Sequence, residues 1–310
     1  MCNRMKTKTC LFSLIITPLL FILAFSCKKD EAPSKLNPAI TWSNPADISF
    51  VVPLSALQLN ATADVAGIFR YSPPKGTILS VGANQELKVD FKPADSITYK
   101  SISKTVRINI LTLNTVTDID GNVYNEIVIG NQVWMGANLK VTRFNDGTQI
   151  PLIIDNNTWL NLTTPAYCWY NNDSINNKNI YGGMYNWYAV NTGKLAPAGW
   201  HVPTDAEWKV LTTYLGGEYF AGSKLRETGM SHWPNNSGAT NEVGFTALPG
   251  GNRGYGDGVF FYLDYFGDWW TSSEFPGNGA WTRRTNGYEY NLYRGFIDCY
   301  MGLSVRCIKD

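Results

Sequence analysis

Histidine, net charge and long apolar runs are all scarce in this chain of 310 residues. Only two histidines occur, His201 and His232, which excludes a metal site built mainly from histidine. The chain has 26 lysines and arginines against 25 aspartates and glutamates, so we expect no basic face and no nucleic-acid partner. In contrast, 44% of the residues are hydrophobic and 14% are aromatic, which excludes disorder as the overall state.

The first 26 residues have the charge and hydropathy pattern of an export signal. Three basic residues and no acidic residue accompany an apolar run over residues 11–25, which is shorter than the roughly 18 to 20 residues of a membrane-spanning helix. The segment around Ser26 and Cys27 resembles a bacterial lipobox, in which the signal is removed and the cysteine is lipidated. We therefore expect a lipoprotein signal peptide at residues 1–26 and a lipid anchor on Cys27, with ordinary secretion as the alternative.

A short polar segment follows the lipobox. Residues 28–31 read Lys-Lys-Asp-Glu and resemble the signal that directs lipoproteins of the Bacteroidetes group to the outer face of the outer membrane. The resemblance implies an outer-membrane lipoprotein exposed at the cell surface, whose anchor has the membrane as its partner. The alternative is that residues 27–37 serve only as a solvated tether.

Residues 38–113 have the alternating hydropathy of β-strands and almost no helical pattern. Apolar and polar residues alternate at residues 57–61, 87–91 and 106–110. Turn-forming residues at 73–76 and 82–84 separate these segments, so the sequence predicts a small antiparallel sandwich. The opening Trp-Ser-Asn-Pro at 42–45 and the closing strand at 98–110 resemble bacterial immunoglobulin-like repeats, which implies a spacer role.

Residues 114–310 differ in composition and form the predicted second domain. They contain every tryptophan except Trp42, together with many asparagines, glycines and tyrosines. The pairs Asp120–Gly121 and Gly130–Asn131 are typical two-residue hairpin turns, and strand-like segments flank both. We therefore expect this domain to open with a β-meander.

One clear helix is predicted in the second domain, beginning after Thr204. Thr204 is a good N-cap and Glu207 follows three residues later, which is the capping-box pattern. The pair Asp205 and Glu207 suggests catalytic carboxylates, but we interpret both as first-turn residues that satisfy backbone amides and the helix dipole. His201, just before the helix, is interpreted as structural or surface-exposed rather than as a general base.

Ordered motifs throughout residues 115–310 resemble the Fibrobacter succinogenes major paralogous domain. The motifs include Val-Thr-Asp-Ile-Asp-Gly-Asn-Val-Tyr at 116–124, Gly-Asn-Gln-Val-Trp-Met at 130–135, Gly-Phe-Thr-Ala-Leu-Pro-Gly-Gly at 244–251, Trp-Thr-Ser-Ser-Glu at 270–274 and Ser-Val-Arg-Cys at 304–307. That family occurs in surface lipoproteins, and most of its members lack an assigned activity. The helix motif and the closing Arg306–Cys307 also resemble the formylglycine-generating-enzyme group, which implies a C-type-lectin-like α+β fold. The predicted fold is thus multidomain: an all-β immunoglobulin-like sandwich at 38–113, then a C-type-lectin-like domain at 114–310.

The cysteines argue against an enzyme. Formylglycine-generating enzymes use a reactive, copper-binding cysteine pair near the C-terminal end, whereas Cys307 here aligns with a closing structural strand. We therefore expect a protein that is not an enzyme. Thiols of exported proteins tend to oxidise, and Cys168, Cys299 and Cys307 are odd in number, so one disulfide and one leftover thiol are expected. We prefer Cys168 with Cys307 over Cys299 with Cys307.

Residues 118–122, Asp-Ile-Asp-Gly-Asn, place several oxygen ligands in a short loop. The loop lacks the length and the terminal acid of an EF-hand, so we favour a plain hairpin. The motifs through which lectins of the C-type fold hold calcium and sugar do not occur. We therefore expect no cofactor and no metal ligands, with calcium at this loop as the alternative.

Aromatic-rich polar segments are the remaining candidates for a binding site. Tryptophan faces beside amides and carboxylates suit sugar rings or peptide surfaces, although loop-rich domains also use large aromatics as core. The candidate ligand contacts are Tyr255, Asp257, Trp270, Trp281 and Arg283. Tyr255 and Trp281 are expected to be the more exposed, and the glycine-rich stretch at 250–258 is expected to be a surface loop.

These features predict a surface-exposed lipoprotein that binds extracellular glycan or protein without catalysis. A structural component of the cell envelope is the first alternative. An enzyme related to formylglycine-generating enzymes is the second.

Overall fold

The computed structural model describes residues 34–254, 256–277 and 279–310. The predicted signal peptide, the lipidation site Cys27 and the candidate ligand residue Tyr255 lie outside the described residues. Residues Leu36–Asp310 form one compact unit. In the described part of the chain, no helix has both the length and the apolar character needed to cross a membrane.

The first part of the compact unit is built from β-strands alone. Its strands are β1 (Ile40–Thr41), β2 (Ile48–Ser49), β3 (Thr62–Ala63), β4 (Gly67–Ser72), β5 (Gly82–Pro93) and β6 (Ile102–Leu111). The order β2-β6-β5-β4 defines a four-stranded sheet, and β1 pairs with β3. The predicted alternation at 87–91 and 106–110 is confirmed, because the apolar residues of both segments are buried and all of them except Phe91 belong to one core cluster.

The predicted strand at residues 57–61 is wrong. Ser55 and Gln58 instead form a turn, in which Gln58 Oε1 accepts hydrogen bonds of 3.0 Å from the backbone N–H and the hydroxyl of Ser55. Leu59 is buried in the same core as Trp42, and its N–H donates to the Ser55 carbonyl. The alternating hydropathy of this segment therefore reflects burial of turn residues rather than pairing in a sheet.

The second part of the unit contains several small sheets. Its strands are β7 (Thr115–Thr117), β8 (Val123–Ile129), β9 (Gln132–Met135), β10 (Tyr167–Cys168), β11 (Met184–Tyr185), β12 (Trp200–His201), β13 (Gly250–Arg253), β14 (Phe260–Leu263), β15 (Phe266–Phe275), β16 (Gly279–Asn286), β17 (Tyr293–Asp298) and β18 (Ile308–Lys309). One sheet has the order β12-β18-β9-β8-β7 and another the order β15-β16-β17, while β10 pairs with β11 and β13 with β14. Both predicted hairpins are confirmed, since β7, β8 and β9 pair in antiparallel succession.

Helices are short and few in the described residues. They are α1 (Asn156–Leu160), α2 (Ser174–Tyr181), α3 (Trp187–Val190), α4 (Asp205–Tyr214) and α5 (Glu218–Leu225). The predicted helix after Thr204 is α4, and its capping box is present: the Thr204 hydroxyl accepts from the Glu207 N–H at 3.2 Å, and Glu207 Oε2 accepts from the Thr204 N–H at 2.8 Å. The chain is therefore β-rich, and α4 is its longest described helix.

The core of the second part is dominated by aromatic side chains. Trp134, Trp208, Trp269 and Phe245 are fully buried and meet one another with ring centroids 4.8 to 6.3 Å apart. This group joins β9, α4 and β15, so the tryptophan-rich composition serves mainly to build a core. The domain boundary at residue 113 stays a prediction.

Candidate functional site

Two of the predicted ligand residues lie in the interior. Trp270 is 0% exposed, packs in the largest hydrophobic cluster and donates from Nε1 to the Tyr185 carbonyl at 2.7 Å. Arg283 is also 0% exposed, because its position on β16 directs it toward the first turn of α4. The assignment of Trp270 and Arg283 as ligand contacts is therefore wrong, since neither side chain reaches the surface.

Asp205 is the partner of Arg283 and of a second arginine. Its Oδ1 lies 2.8 Å from Arg283 Nη1, and Arg294 approaches it with Nε at 2.9 Å from Oδ1 and Nη2 at 3.0 Å from Oδ2. Burial acts to raise the pKa of Asp205, but the hydrogen bonds from Arg294 and Arg283 outweigh it and hold that pKa below its usual 3.8. Asp205 thus links α4 to β16 and β17, a role beyond the interaction with the helix dipole that its sequence position suggests.

Trp281 is half-buried in an aromatic group on the sheet of β15, β16 and β17. The Arg294 guanidinium lies over its ring, 3.3 Å from the centroid, and Phe275 meets the ring edge-on at 4.9 Å. Phe275 also stacks on Phe296, which is 55% exposed. Because Arg294 covers a face of Trp281, Phe296 supplies more of the open aromatic surface in this group.

A groove of about 430 Å³ lies beside Phe296 and is named here the β17 groove. Its lining combines aromatic with polar residues, namely Phe266, Tyr293 and Phe296 with Thr282, Arg284, Asn286 and Glu289. Gly295 keeps it open, since a Cβ at this position would have only the Thr282 hydroxyl within 4 Å. A smaller pocket of about 250 Å³ shares Phe296 and Ile297 with the groove and reaches Gly256, the neighbour of the exposed Asp257.

Arg284 is held in a fixed orientation at the groove. Its Nε and Nη2 lie 2.6 and 3.0 Å from the two carboxylate oxygens of Asp268, and its guanidinium sits 4.5 Å from the Phe266 ring centroid. Asp268 is buried and also accepts from Asn252 Nδ2 at 2.8 Å. Because these contacts hold Arg284 in one orientation, contact with a ligand would cost little side-chain entropy.

Arg284 lines the groove, whereas its neighbour Arg283 is buried. The two residues are adjacent in β16, and successive side chains of a strand point to opposite faces of the sheet. The sequence of β16 does not reveal which face is the interior. The pairing of Arg283 with Asp205, 78 residues away, decides it.

The three described cysteines are buried, and Cys168 and Cys307 form no disulfide with each other, so the structure does not contain the predicted pairing. Cys168 packs with Trp159 and Met184, whereas Cys307 belongs to a different hydrophobic cluster. Burial raises the pKa of Cys168 to about 12 and raises the pKa of Cys307 further. Both thiols are therefore protonated near neutral pH and are poor nucleophiles.

The acidic loop at residues 118–122 is a hydrogen-bonded turn. Asp118 Oδ1 accepts from the backbone N–H groups of Asp120 and Asn122 at 2.9 Å, and Oδ2 accepts from the Tyr124 hydroxyl at 2.6 Å. Asp120 is paired with Arg143 at 2.6 Å. The Asp118 carboxylate therefore holds the turn, whereas Asp120 ties the turn to residues 142–143. No cluster of three or more histidine, cysteine or acidic residues suited to a metal occurs in the described residues.

The glycine-rich stretch at 250–258 is only in part a surface loop. Its first four residues form the buried strand β13, and Arg253 at the end of this strand is 0% exposed. Arg253 donates to the carbonyls of Ile153 and Ile154 at 2.6 and 2.8 Å. Among the described residues of this stretch, Gly256 and Asp257 are exposed.

His201 bridges the carboxylate of Glu207 in α4 and that of Asp310, the last residue of the sequence. Its Nε2 lies 2.9 Å from Glu207 Oε1 and its Nδ1 lies 2.7 Å from Asp310 Oδ1. Burial acts to lower the pKa of His201, but the hydrogen bonds to Asp310 and Glu207 raise it above the usual 6.5. These contacts are those of a residue that ties β12 and α4 to the C-terminus.

The second part of the compact unit is β-rich and carries a surface groove. Residues 127–309 match the sequence model of the Fibrobacter succinogenes major domain. The match covers more than half of the chain, so the chain belongs to this family. The match begins within β8 and ends at the last residue of β18. It therefore leaves out β7, which the sequence motif at 116–124 overlaps. No curated protein and no solved structure matches the chain.

Proposed function

We propose that the protein is a surface lipoprotein that binds extracellular glycan, without catalysis, in the β17 groove. The observation that carries this proposal is the lining of the groove, where the exposed Tyr293 lies across from Arg284 in the sheet and the Phe266 ring centroid lies 4.5 Å from the fixed guanidinium. Aromatic rings supply contact area for the apolar face of a sugar, and oriented polar groups select its hydroxyls.

The polar groups of the groove favour a sugar over a flat apolar ligand. Asn286 is fixed by its Oδ1, which accepts from the N–H groups of Tyr288 and Glu289 at 2.9 and 3.0 Å. Arg284 and Glu289 add a donor group and an acceptor group of opposite charge to the same lining. A ligand with many hydroxyls, each both donor and acceptor, complements such a mixture.

The location rests on the N-terminal segment. A lipid on Cys27 would anchor the chain in the outer membrane, and the polar tether would place residues 34–310 outside the cell. The finer fold assignments belong to the same proposal: an immunoglobulin-like sandwich for the sheets around the Trp42 core, and a C-type-lectin-like arrangement for the domain that contains α4.

The test is an array of glycans and extracellular-matrix proteins probed with residues 28–310, with and without calcium. The proposal predicts binding to a restricted set of glycans that calcium does not change. Binding only to matrix proteins would reassign the groove to a protein ligand, and calcium dependence would reassign the site to residues 118–122. Silence across the array, with folding verified by circular dichroism, would contradict glycan binding and favour a structural role in the envelope.

A further inference from the structure

A pocket of about 320 Å³ that shares no lining residue with the β17 groove contains an unusual arginine. Residues 136–138 after β9, the end of α2, His232 and Thr246 line this pocket together with Arg306, and it is named here the Arg306 pocket. No acidic residue is among those that line it. Its volume is several times the roughly 30 Å³ that one water molecule occupies in the liquid.

Arg306 is 1% exposed and has only neutral partners. Its Nε donates to Asn138 Oδ1 at 3.1 Å, and its Nη1 donates to the carbonyls of Met135 and Phe245 at 3.1 and 2.7 Å. Within the described chain, no carboxylate lies within 4.0 Å of the guanidinium and no acceptor meets Nη2. Burial lowers the pKa of Arg306 to about 9, which reflects the unfavourable free energy of a buried charge without a counter-ion.

The other buried arginines resolve the same problem differently. Arg283 has the carboxylate of Asp205 at 2.8 Å. Arg226 and Arg253 lack a carboxylate, but each donates hydrogen bonds from Nε, Nη1 and Nη2 to neutral oxygens. Among the buried arginines of the described chain, Arg306 lines a pocket and has neither a counter-ion nor an acceptor for Nη2.

Further donors surround the same space. The backbone N–H groups of Ala137 and Asn138 have no acceptor among residues 34–254, 256–277 and 279–310. His232, which also lines the pocket, uses Nδ1 for the Glu227 carboxylate at 2.8 Å. Glu227 is thus engaged by His232 and does not serve as the counter-ion of Arg306.

We propose that the Arg306 pocket binds a small oxyanion, the carboxylate or phosphate group of a ligand, with Arg306 Nη2 as the charged donor. The anion neutralises the buried guanidinium and accepts hydrogen bonds from the Ala137 and Asn138 amides. Backbone amides and arginine are the donors that proteins use most effectively for carboxylate and phosphate oxygens. The remaining volume of the pocket leaves space for an organic part attached to the anionic group.

The experiment is calorimetric titration of the purified protein with sodium phosphate and, separately, with sodium glucuronate, in chloride buffer at constant ionic strength. Saturable binding of either anion at one site is expected. Binding of phosphate alone assigns the pocket to phosphate, and binding of glucuronate alone assigns it to an acidic sugar. Absence of saturable binding for both anions would overturn the proposal.

Two variants locate the bound anion. Arg306→Met keeps much of the side-chain length without the charge, and we expect affinity to fall about tenfold or more. Since loss of Arg306 also threatens folding, Ala137→Asp is the second variant. Ala137 is a half-buried lining residue, so the new carboxylate competes with the anion for the Arg306 guanidinium and should lower the affinity. His201→Ala is the control variant, because His201 lies outside the Arg306 pocket and its loss should leave the affinity for the anion unchanged. Unchanged affinity in Ala137→Asp would place the anion elsewhere and refute the assignment.

Discussion

Asp205 Oδ1 lies 2.8 Å from Nη1 of Arg283, whose side chain is completely buried. The pair fixes the first turn of α4 against β16, and Arg294 extends it to β17 and to the face of Trp281. One carboxylate thereby positions the strands that carry the β17 groove.

Asp205→Asn is expected to destabilise the protein by about 3 kcal/mol, because it leaves the Arg283 charge buried without its partner. The free energy of unfolding from urea titration measures the effect. Asp146→Asn is the matched control, since Asp146 pairs with Lys194 at the surface, and such pairs contribute at most about 1 kcal/mol. Equal losses in the two variants would show that the buried pair is unimportant.

The bridge from His201 to Glu207 and Asp310 predicts a pH dependence of stability. The pKa of His201 is raised in the folded state, so the bridge stabilises the fold fully below the unfolded pKa of about 6.5. This contribution is lost as pH rises through the folded pKa. The difference in unfolding free energy between the wild type and His201→Gln is therefore expected to shrink from pH 5 to pH 8. A difference that stays constant over this range would refute the bridge.

Thiol labelling tests the buried cysteines. In residues 28–310, the cysteines are Cys168, Cys299 and Cys307, which are all buried and form no disulfide with one another. Ellman's reagent is expected to react slowly with the native protein and to detect all three thiols after unfolding without reductant. Detection of a single thiol would demonstrate the disulfide that the structure lacks.

Gly295 controls access to the β17 groove. A Cβ fits there, because the Thr282 hydroxyl at 3.6 Å is the one atom found within 4 Å of it, and the backbone of Gly295 does not have a positive φ. We expect Gly295→Leu to fill the groove and weaken glycan binding at least about tenfold, with the melting temperature nearly unchanged. Gly295→Ala is the graded control and should bind almost normally. Normal binding by Gly295→Leu would exclude the groove as the site.

The sequence predicted those parts of the fold that local signals determine. The two-residue turns at Asp120–Gly121 and Gly130–Asn131 specify hairpins, and the capping residues Thr204 and Glu207 specify the start of α4. In each case the residues that make the structure are neighbours in the chain, so their spacing suffices.

The candidate site was predicted less well because it depends on contacts between distant segments. Whether Arg283 or its neighbour Arg284 faces the surface is decided by the packing of β16 against α4. The sequence also did not identify Tyr293 or Phe296, since exposed aromatics in a strand have the same pattern as buried ones. The alternation of exposure along β17 becomes visible only once its partner strand is known.

Glycan binding in the β17 groove is tested most directly by two tyrosine variants, whose affinities for a glycan identified on the array are compared. Tyr293 lines the β17 groove, whereas Tyr219, at 62% exposure, lies on α5 outside it. We predict that Tyr293→Ala lowers the affinity about tenfold and that Tyr219→Ala leaves it unchanged, as measured by calorimetry on folded proteins. Equal affinities of Tyr293→Ala and the wild type would contradict glycan binding in the β17 groove.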